Sequence, residues 1–370
     1  MSIPLMIVFA VAAICFLVFI HEAGHFLAAR AFGVRVTELM LGLPGPGVGF
    51  THGGTRYGVT VVLLGGYARV CGMEPGEMSP HLKPALASLY RRGTATAEEV
   101  AFDCGISVDD AIEALDELTE WGSCSGPTKK DEFNTYRACE VKPTKRQQKR
   151  ALAAGSGELS AFALGQPRAV EDPDALFESE YARQYRSLPF WKRSVILLAG
   201  VAMNLLFAML IFIVVYSVIG VDLTYRDTGE VFHYNATPLM SIQLGFSYIL
   251  ATVQAVLGLF NPATAAETVS NSASIVGIVA MSGDFFERGL ADSLFFAAVI
   301  SVSLGIMNLL PIPPLDGGRF VVEVFQKITR KVVSVKVMGY ASMAGMALFL
   351  CFFAIMLNQD IQRILTGFWS

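Results

Sequence analysis

Long apolar runs separated by one polar block dominate the pattern of the chain. Crossing the ~30 Å hydrocarbon layer of a bilayer takes about 20 apolar residues. Four runs reach that length: Ile3–Phe32, Ser194–Val221, Leu290–Pro311 and Val337–Leu357. A fifth run, Leu239–Phe260, contains interspersed Gln, Ser and Thr residues, and we expect it to lie in the membrane surface instead of crossing. The pattern predicts a polytopic α-helical membrane protein with four transmembrane helices.

After the first span the apolar pattern becomes alternating. Tyr57–Val62 alternates apolar and polar positions, and Gly65–Val70 is a second short run of the same kind. Two such runs so close together predict a β-hairpin or β-loop. Either strand could offer an edge to which an extended peptide would pair. A hairpin with a purely structural role is the alternative.

The polar block that follows is predicted to be a cytoplasmic insert. Helix periodicity and N-cap residues predict three short helices, at Lys83–Arg92, Thr96–Asp103 and Ser107–Trp121, and then a hairpin within Ser123–Tyr136. This order resembles a winged-helix α+β module. Its third helix is strongly acidic, whereas a DNA-reading helix is basic, so no nucleic acid partner is expected. A protein-docking or regulatory role and a plain stabilising insertion both remain open. The basic, Ala/Gly/Ser-rich stretch Lys142–Gln166 is predicted to be a linker.

These elements divide the chain into seven predicted parts. Arg183–Arg193 is expected to form a juxtamembrane helix that leads into the second span. The parts are 1–33, the first transmembrane helix; 34–75, the β-loop; 76–182, the insert and linker; 183–221, the juxtamembrane and second transmembrane helices; 222–289, a short extracytoplasmic loop and interfacial helix; 290–336, the third transmembrane helix and a cytoplasmic loop; and 337–370, the fourth transmembrane helix and tail.

Composition supports the membrane assignment. Hydrophobic residues make up 53% of the chain and charged residues only 16%, against about 25% charged in soluble domains. Of the 60 charged residues, 36 lie between Glu74 and Arg193, which concentrates the polar character in the insert. The net charge of -4 gives no basic signal for nucleic acid.

Basic residues near the span ends predict the orientation, because Lys and Arg accumulate on the cytoplasmic side. The only basic residues in the loop 222–289 are Arg226 and Arg288. Basic residues instead flank the insert and follow the third span, where they are Arg319, Lys327, Arg330, Lys331 and Lys336. The insert and the third-span loop are therefore expected to face the cytoplasm of a multi-pass protein in the cell membrane, and both termini the outside.

The candidate chemistry lies at the end of the first span, in the sequence HEAGH. His21 and His25 are four residues apart, so on a helix both imidazoles face the same side and can bind one metal ion. Glu22 lies beside them, in position to accept a proton from an attacking water. Ionisable side chains at membrane depth cost ~2.5–3.5 kcal/mol each even on insertion scales. Their presence in an apolar run therefore favours a metal site over a chance match.

A catalytic zinc has three protein ligands and one open position. The other histidines, His52, His81 and His233, lie outside the spans. Asp316 is the better candidate, because it follows the third span in the sequence NLLPIPPLDGG and faces the predicted cytoplasmic side, as the two motif histidines do. Asp-Gly-Gly is also a common turn sequence, which is the alternative explanation.

The paired motifs resemble those of the site-2 protease family of intramembrane zinc metalloproteases, and within it the bacterial RseP-like branch that cleaves anti-sigma factors. Other segments agree. Leu64–Val70 resembles the GGYV-type strand of the family's β-loop, which implies a membrane-associated β-hairpin or β-loop here, and Ala199–Asn204 resembles its AGPxxN segment, with Val201 where proline is usual. Ser274–Ile278 resembles its SGPIGI segment, again without the proline.

This resemblance implies a Zn²⁺ ion held by His21, His25 and Asp316, with Glu22 as general base. It implies transmembrane protein substrates in the lipid bilayer, such as anti-sigma factors or signal-peptide remnants. Substrate contacts are implied for Asn204, Asn308, Pro311, Pro313, Gly65, Gly66 and Tyr67.

The chain also departs from the RseP-like pattern. Members of that branch carry PDZ domains between the second and third spans, but here Val221–Thr237 is shorter than the ~50 residues of the smallest domains. Two other function classes are less consistent with the sequence. A metal transporter would need further intramembrane carboxylates or histidines along a path, and the spans hold almost none besides Glu22 and Asp316. A catalytically idle docking protein acting through the insert would not need Glu22.

Overall fold

A computed structural model describes residues 3–366, except 64, 75, 130, 132, 142–147, 150, 151, 154–159 and 225–229. Most of the predicted linker lies outside the described residues. Helices dominate the rest. They are α1 (Ile3–Ala31), α2 (Leu82–Arg92), α3 (Ala97–Cys104), α4 (Val108–Glu120), α5 (Pro173–Tyr181), α6 (Phe190–Ile213), α7 (Pro238–Gly258), α8 (Ala265–Asn271), α9 (Ile275–Arg288), α10 (Leu290–Asn308), α11 (Asp316–Thr329) and α12 (Val335–Leu365).

Five of the described helices, α1, α6, α7, α10 and α12, are long and apolar enough to cross a membrane. The chain is thus a multi-pass membrane protein by these criteria. Helix α6 continues through a π-helical turn at Val214–Ile219. Each of the four predicted spans is present as a helix, but the segment expected at the surface also forms a long apolar helix, α7. Length and composition therefore do not separate four crossings from five.

Helices α6 and α10 pack together through a shared apolar cluster. Ala208 and Phe212 of α6 and Ala298 and Val302 of α10 are almost completely buried in one apolar cluster. Helix α12 differs, since most of its apolar side chains are exposed. Lipid is the solvent that such an outer surface requires.

A four-stranded sheet packs beside α1. Its strands are β1 (Val36–Leu41), β2 (Gly47–His52), β3 (Thr55–Thr60) and β4 (Gly66–Val70), in the order β2-β3-β1-β4. Strand β1 pairs parallel with β3 and antiparallel with β4. The expectation that Tyr57–Val62 offers a free edge is wrong, because β3 is hydrogen-bonded to β1 and β2 on its two sides. Strand β4 is an edge strand.

The insert has its own hydrophobic core and a small sheet of β5 (Thr94–Thr96), β6 (Cys124–Ser125) and β7 (Thr135–Ala138) in the order β5-β7-β6. Thr96 caps α3 with a full capping box, and Ser107 caps α4. The core is built from all three helices and from β7, through Leu82, Leu86, Leu89, Val100, Leu115, Leu118, Trp121 and Tyr136.

The predicted juxtamembrane helix over Arg183–Arg193 is wrong. The chain there forms a single 3₁₀ turn at Tyr185–Ser187, and Leu188 and Pro189 are extended. A residue before proline is disfavoured in the helical region, so Leu188 interrupts the helix, and the next helix begins at Phe190 with Pro189 as its N-cap. The break lets Tyr185 turn inward, where it is buried.

The loop between α6 and α7 contains strands β8 (Val221–Thr224) and β9 (Val231–Tyr234), which form a two-stranded antiparallel ladder. A two-stranded ladder is far smaller than a PDZ domain.

A buried ion pair joins the insert to the sheet. Arg35, just before β1, donates from Nη1 to Glu180 Oε2 at 2.8 Å and to the Gly122 carbonyl at 2.7 Å. Ser123 Oγ donates to the same carboxylate at 2.6 Å. Burial acts to raise the pKa of Glu180, but the charge of Arg35 and the two hydrogen bonds outweigh it, so the pKa lies below its ordinary value.

We therefore expect Glu180→Gln to lower the free energy of unfolding of the insert by about 3 kcal/mol at pH 7, because it leaves a buried guanidinium without its counter-ion. A carboxylate with a lowered native pKa stabilises the fold above its ordinary pKa and loses that contribution as the pH falls through the native value. The difference between wild type and variant should therefore shrink below about pH 4. Urea unfolding of the full-length protein measures it, in a Trp191→Phe, Trp369→Phe background so that the fluorescence comes from Trp121. Glu178→Gln at an exposed position is the control, and a difference that stays constant from pH 7 to pH 3 would contradict the assignment.

Candidate metal centre

Two buried imidazoles project from the last turns of α1. His21 and His25 are 5% and 7% exposed, and their Nε2 atoms lie 3.2 Å apart. The four-residue spacing on a helix places both rings on the same face. Two nitrogens at this separation are suited to share one cation.

Asp316 completes the group from the other end of the sequence. Its Oδ2 atom lies 2.9 Å from His21 Nε2 and 3.1 Å from His25 Nε2. Zinc bonds of ~2.0–2.1 Å in a tetrahedron separate neighbouring ligand atoms by about 3.3 Å, so these three atoms are within a few tenths of an ångström of a zinc ligand set. Among the described residues no other group of three His, Cys, Asp or Glu side chains is this close together. The donor set fits Zn²⁺ and leaves a fourth position for water or substrate.

Two glycines allow Asp316 to reach this place. It is the first residue of α11, and the segment before it folds back on the start of the helix. A Cβ on Gly317 would overlap the Leu309 carbonyl, and one on Gly318 would overlap Pro313 N. The Gly-Gly pair after Asp316 is therefore required by close backbone packing.

Two further glycines bring α1 and α6 together at the histidines. An added Cβ on Gly24 would lie 2.5 Å from the Ala199 carbonyl oxygen. One on Gly200 would overlap His25 Nε2 and lie 2.8 Å from His21 Cε1. The metal-binding face of α1 thus rests directly on the backbone of α6.

Polar atoms on α6 orient both rings. His25 Nδ1 lies 2.8 Å from the Ile196 carbonyl, an acceptor that leaves Nε2 free for metal. The fully buried side-chain amide of Asn204 lies 3.3 Å from His21 Nδ1, and its Oδ1 atom has no hydrogen-bond partner in the structure. A half-turn of the amide would exchange its O and N atoms, so that Oδ1 would accept the Nδ1 proton of a metal-bound His21. Both rings therefore have the support that a metal ligand needs.

Glu22 is held by the edge strand of the sheet. The backbone N–H of Ala68 in β4 donates to Glu22 Oε2 at 2.9 Å. The N–H belongs to the side of β4 that faces away from β1, where Leu39 is the partner of Ala68. The carboxylate and the free strand edge are therefore neighbours.

The side of α11 away from solvent is anchored by a second buried carboxylate. Glu323, two turns after Asp316, accepts a hydrogen bond from the Tyr185 hydroxyl at 3.2 Å and pairs with Arg193 at 3.2 Å. It is 8% exposed. This contact ties the helix that carries Asp316 to the start of α6 and to the chain leaving the insert.

The predicted substrate-contact residues are more scattered. Asn204 is completely buried beside His21. Asn308, at the end of α10, donates a hydrogen bond to the Leu304 carbonyl. Gly66 lies against Glu22, and the Tyr67 hydroxyl donates to Glu38 at 3.1 Å. Gly65, with a positive φ, directly precedes the edge strand, while Pro311 is exposed and Pro313 half-buried in the turn before Asp316. Their role in substrate binding stays a prediction.

Several residues that shape the centre were not predicted from the sequence. Gly200, the Ile196 carbonyl and the Ala68 N–H all act through the backbone, and no side-chain motif announces a backbone contact. Glu323 carried a usable signal, since it is an acidic residue seven positions after Asp316 on one helix face.

We expect Gly200→Ala to weaken metal binding by at least 100-fold, because the new methyl group would occupy the space of both imidazoles. Metal content of the purified protein, titrated against a chelator, is the measurement. Gly305→Ala is a matched control in α10, where the nearest atom would be 3.4 Å away. Equal zinc affinity in both variants would show that α1 and α6 are not in the contact described.

Comparison with known proteins identifies the family. The model of peptidase family M50 matches residues 9–352. Zinc metalloprotease RasP of Shouchella clausii is 22% identical over 96% of this chain and 98% of its own length. The regulator of sigma-W protease RasP of Bacillus subtilis is 22% identical over 94% and 96%, and RasP of Bacillus licheniformis is 23% identical over the same shares. The predicted family is confirmed, and with it the expectation of a zinc-dependent peptidase. The chain belongs to peptidase family M50.

Proposed function

We propose that this protein is an intramembrane zinc endopeptidase that hydrolyses peptide bonds in the transmembrane segments of single-span proteins. One observation carries the proposal. Two histidines of the apolar helix α1 and Asp316 of α11 converge within 3.2 Å of one another, and the carboxylate of Glu22 lies beside them. Proteolysis needs this combination, whereas metal transport would need a path of further ligands.

His21, His25 and Asp316 would hold the zinc ion. When bound, zinc lowers the pKa of a coordinated water to about 7 and polarises the scissile carbonyl. Glu22 accepts the proton of the attacking water and returns it to the leaving amine. The Ile196 carbonyl and Asn204 keep the two imidazoles in the tautomer that presents Nε2.

The edge of β4 supports a specific way of presenting substrate. A transmembrane helix has all its amides paired, so hydrolysis requires part of it to become extended. A segment that pairs with the free edge of β4 would be extended by the same hydrogen bonds that bind it. Its carbonyl would take over the Ala68 N–H that now contacts Glu22. Substrate pairing would thereby release the carboxylate for its role as base.

Helix contacts support four crossings with both ends outside. Phe9 of α1 packs edge-to-face against Phe286 of α9, Tyr216 contacts Phe295 of α10, and Asp360 of α12 accepts a hydrogen bond from the Ser274 N–H. These contacts gather the start of α1, the end of α6, the start of α10 and the end of α12 on one side. That arrangement suits four helices that cross the membrane in alternating directions. The insert and the basic residues that flank it would then lie in the cytoplasm.

Both ends of α7 also belong to that side. Ser241 at its start bonds Ser217 at 2.7 Å. Gly258 at its end lies against Thr268. One turn later, the carbonyl of Ser272 accepts a hydrogen bond from Arg363 of α12. A helix whose two ends lie near one surface does not change the number of crossings, so α7 is proposed to lie in the outer part of the membrane.

The substrates proposed are anti-sigma factors or signal-peptide remnants in regulated proteolysis. One relative is named a regulator of sigma-W protease, which supports the first class. The insert has the element order of a winged helix, and its α4 carries Asp109, Asp110 and Glu113 on its outer side. We propose that it docks a protein, since an acidic helix repels nucleic acid.

We expect Glu22→Gln to abolish cleavage of single-span substrates in membranes, with a loss of at least 100-fold, because the amide cannot accept a proton. The variant should retain zinc, since Glu22 does not contribute one of the three converging ligand atoms. A panel of tagged substrates is assayed beside metal content, and Glu178→Gln, at an exposed position of the insert, serves as the control. Undiminished cleavage by Glu22→Gln would refute the assignment of the base.

We expect Ala68→Pro to lower cleavage at least 10-fold while zinc content stays unchanged, because proline removes the N–H that the strand edge offers. Ala68→Val keeps the N–H and is the matched control. Initial rates of cleavage over a range of substrate concentrations test this. If the proline variant cleaves as fast as the valine variant, pairing at this edge is not how substrate is held.

A further inference from the structure

The exposed face of α11 carries apolar side chains, whereas its buried face makes polar contacts. Val321, Phe325 and Ile328 follow one another at helical spacing and are 48%, 49% and 76% exposed. The other side is occupied, since Phe320 packs into the cluster around Ile196 and Glu323 bonds Tyr185. The apolar ridge therefore lacks a partner within the described chain, while the polar contacts of the helix point inward.

Four cations gather at the far end of this ridge. Lys327, Arg330, Lys331 and Lys336 all lie within ten residues and are exposed. No carboxylate of the described residues lies within ion-pair distance of any of them. The carboxylates of Glu117 and Glu323 already have other ion-pair partners, which are Arg186 and Arg193.

The position of α11 relates the two features to the membrane. It joins α10 to α12, both long and apolar enough to cross. Gly345 of α12 lies against the Pro313 carbonyl, close to Asp316. Helix α12 begins ten residues before Gly345, which is about 15 Å at 1.5 Å per residue. Helix α11 therefore climbs from the depth of the metal centre towards the surface, so its ridge faces acyl chains and its cations reach the headgroups.

We propose that residues 319–336 form a binding surface for anionic phospholipid in the cytoplasmic leaflet. An apolar face beside a cluster of Lys and Arg just outside a membrane span is the arrangement that binds such lipids. A neutral lipid would satisfy the ridge but leave four cations without counter-charge. The proposal rests on the orientation proposed above, and it concerns the helix whose first residue is Asp316.

A tryptophan on the ridge provides a direct test that needs no peptidase activity. Ile328→Trp is made in a background with Trp191→Phe and Trp369→Phe, which leaves only Trp121, buried in the insert. The full-length protein is reconstituted in vesicles that contain both phosphatidylglycerol and phosphatidylcholine, with one or the other brominated. Quenching by each brominated lipid then gives the relative affinity of the surface for the two headgroups.

We expect quenching by both lipids and a preference for phosphatidylglycerol. Each cation replaced by Gln should lower this preference about 5-fold, the equivalent of ~1 kcal/mol, until the two lipids bind equally. The test variant combines Lys327→Gln, Arg330→Gln and Lys331→Gln. Its charge-matched control combines Lys83→Gln, Arg91→Gln and Lys129→Gln on the surface of the insert, and should keep the preference.

Two results would overturn the proposal. If neither lipid quenches the fluorescence, the ridge faces a protein or water instead of the bilayer. Equal quenching by both lipids in the protein with its cations intact would mean that the cluster does not recognise anionic headgroups. Neither result depends on whether Glu22 acts as a base, so failure here is distinguishable from failure of the proposed peptidase activity.

Discussion

Close packing of α1 against the backbone of α6 is the contact on which the metal centre depends. Gly24 and Gly200 leave no room for a methyl group between the helices, and the imidazoles of His21 and His25 occupy the space that results. The same closeness lets the Ile196 carbonyl and Asn204 reach the outer ring nitrogens. A larger residue at either glycine would separate the ligands from the groups that orient them.

Helix α11 connects the centre to the rest of the molecule through its three distinct surfaces. Its first residue contributes Asp316, its buried side is held by Tyr185 and Arg193, and its outer side presents an apolar ridge. Tyr185 also bonds through its backbone to Cys71 at the end of β4. The same chain segment therefore reaches the metal-ligand helix and the edge strand, and the ion pair at Arg35 ties the insert to that junction.

The edge strand explains how one carboxylate can be both restrained and available. In the structure Glu22 accepts from the Ala68 N–H, which is the donor that an extended substrate would use. A strand edge with free donors is a hazard in most proteins because it pairs with other chains. Here that property serves the proposed function, and the nearby Glu22 occupies the edge until another acceptor replaces it.

The sequence by itself determined the features that depend on local spacing. The apolar runs, the i, i+4 pair His21 and His25 and the N-caps Thr96 and Ser107 follow from helix geometry, and even the family could be identified from two motifs. Only the tertiary structure decided that β4 is the edge strand, that the chain breaks at Pro189, and that Glu323 anchors the helix of Asp316. Those outcomes depend on which distant segments share a hydrogen bond or leave space for one another, and no local pattern in the sequence encodes such partners.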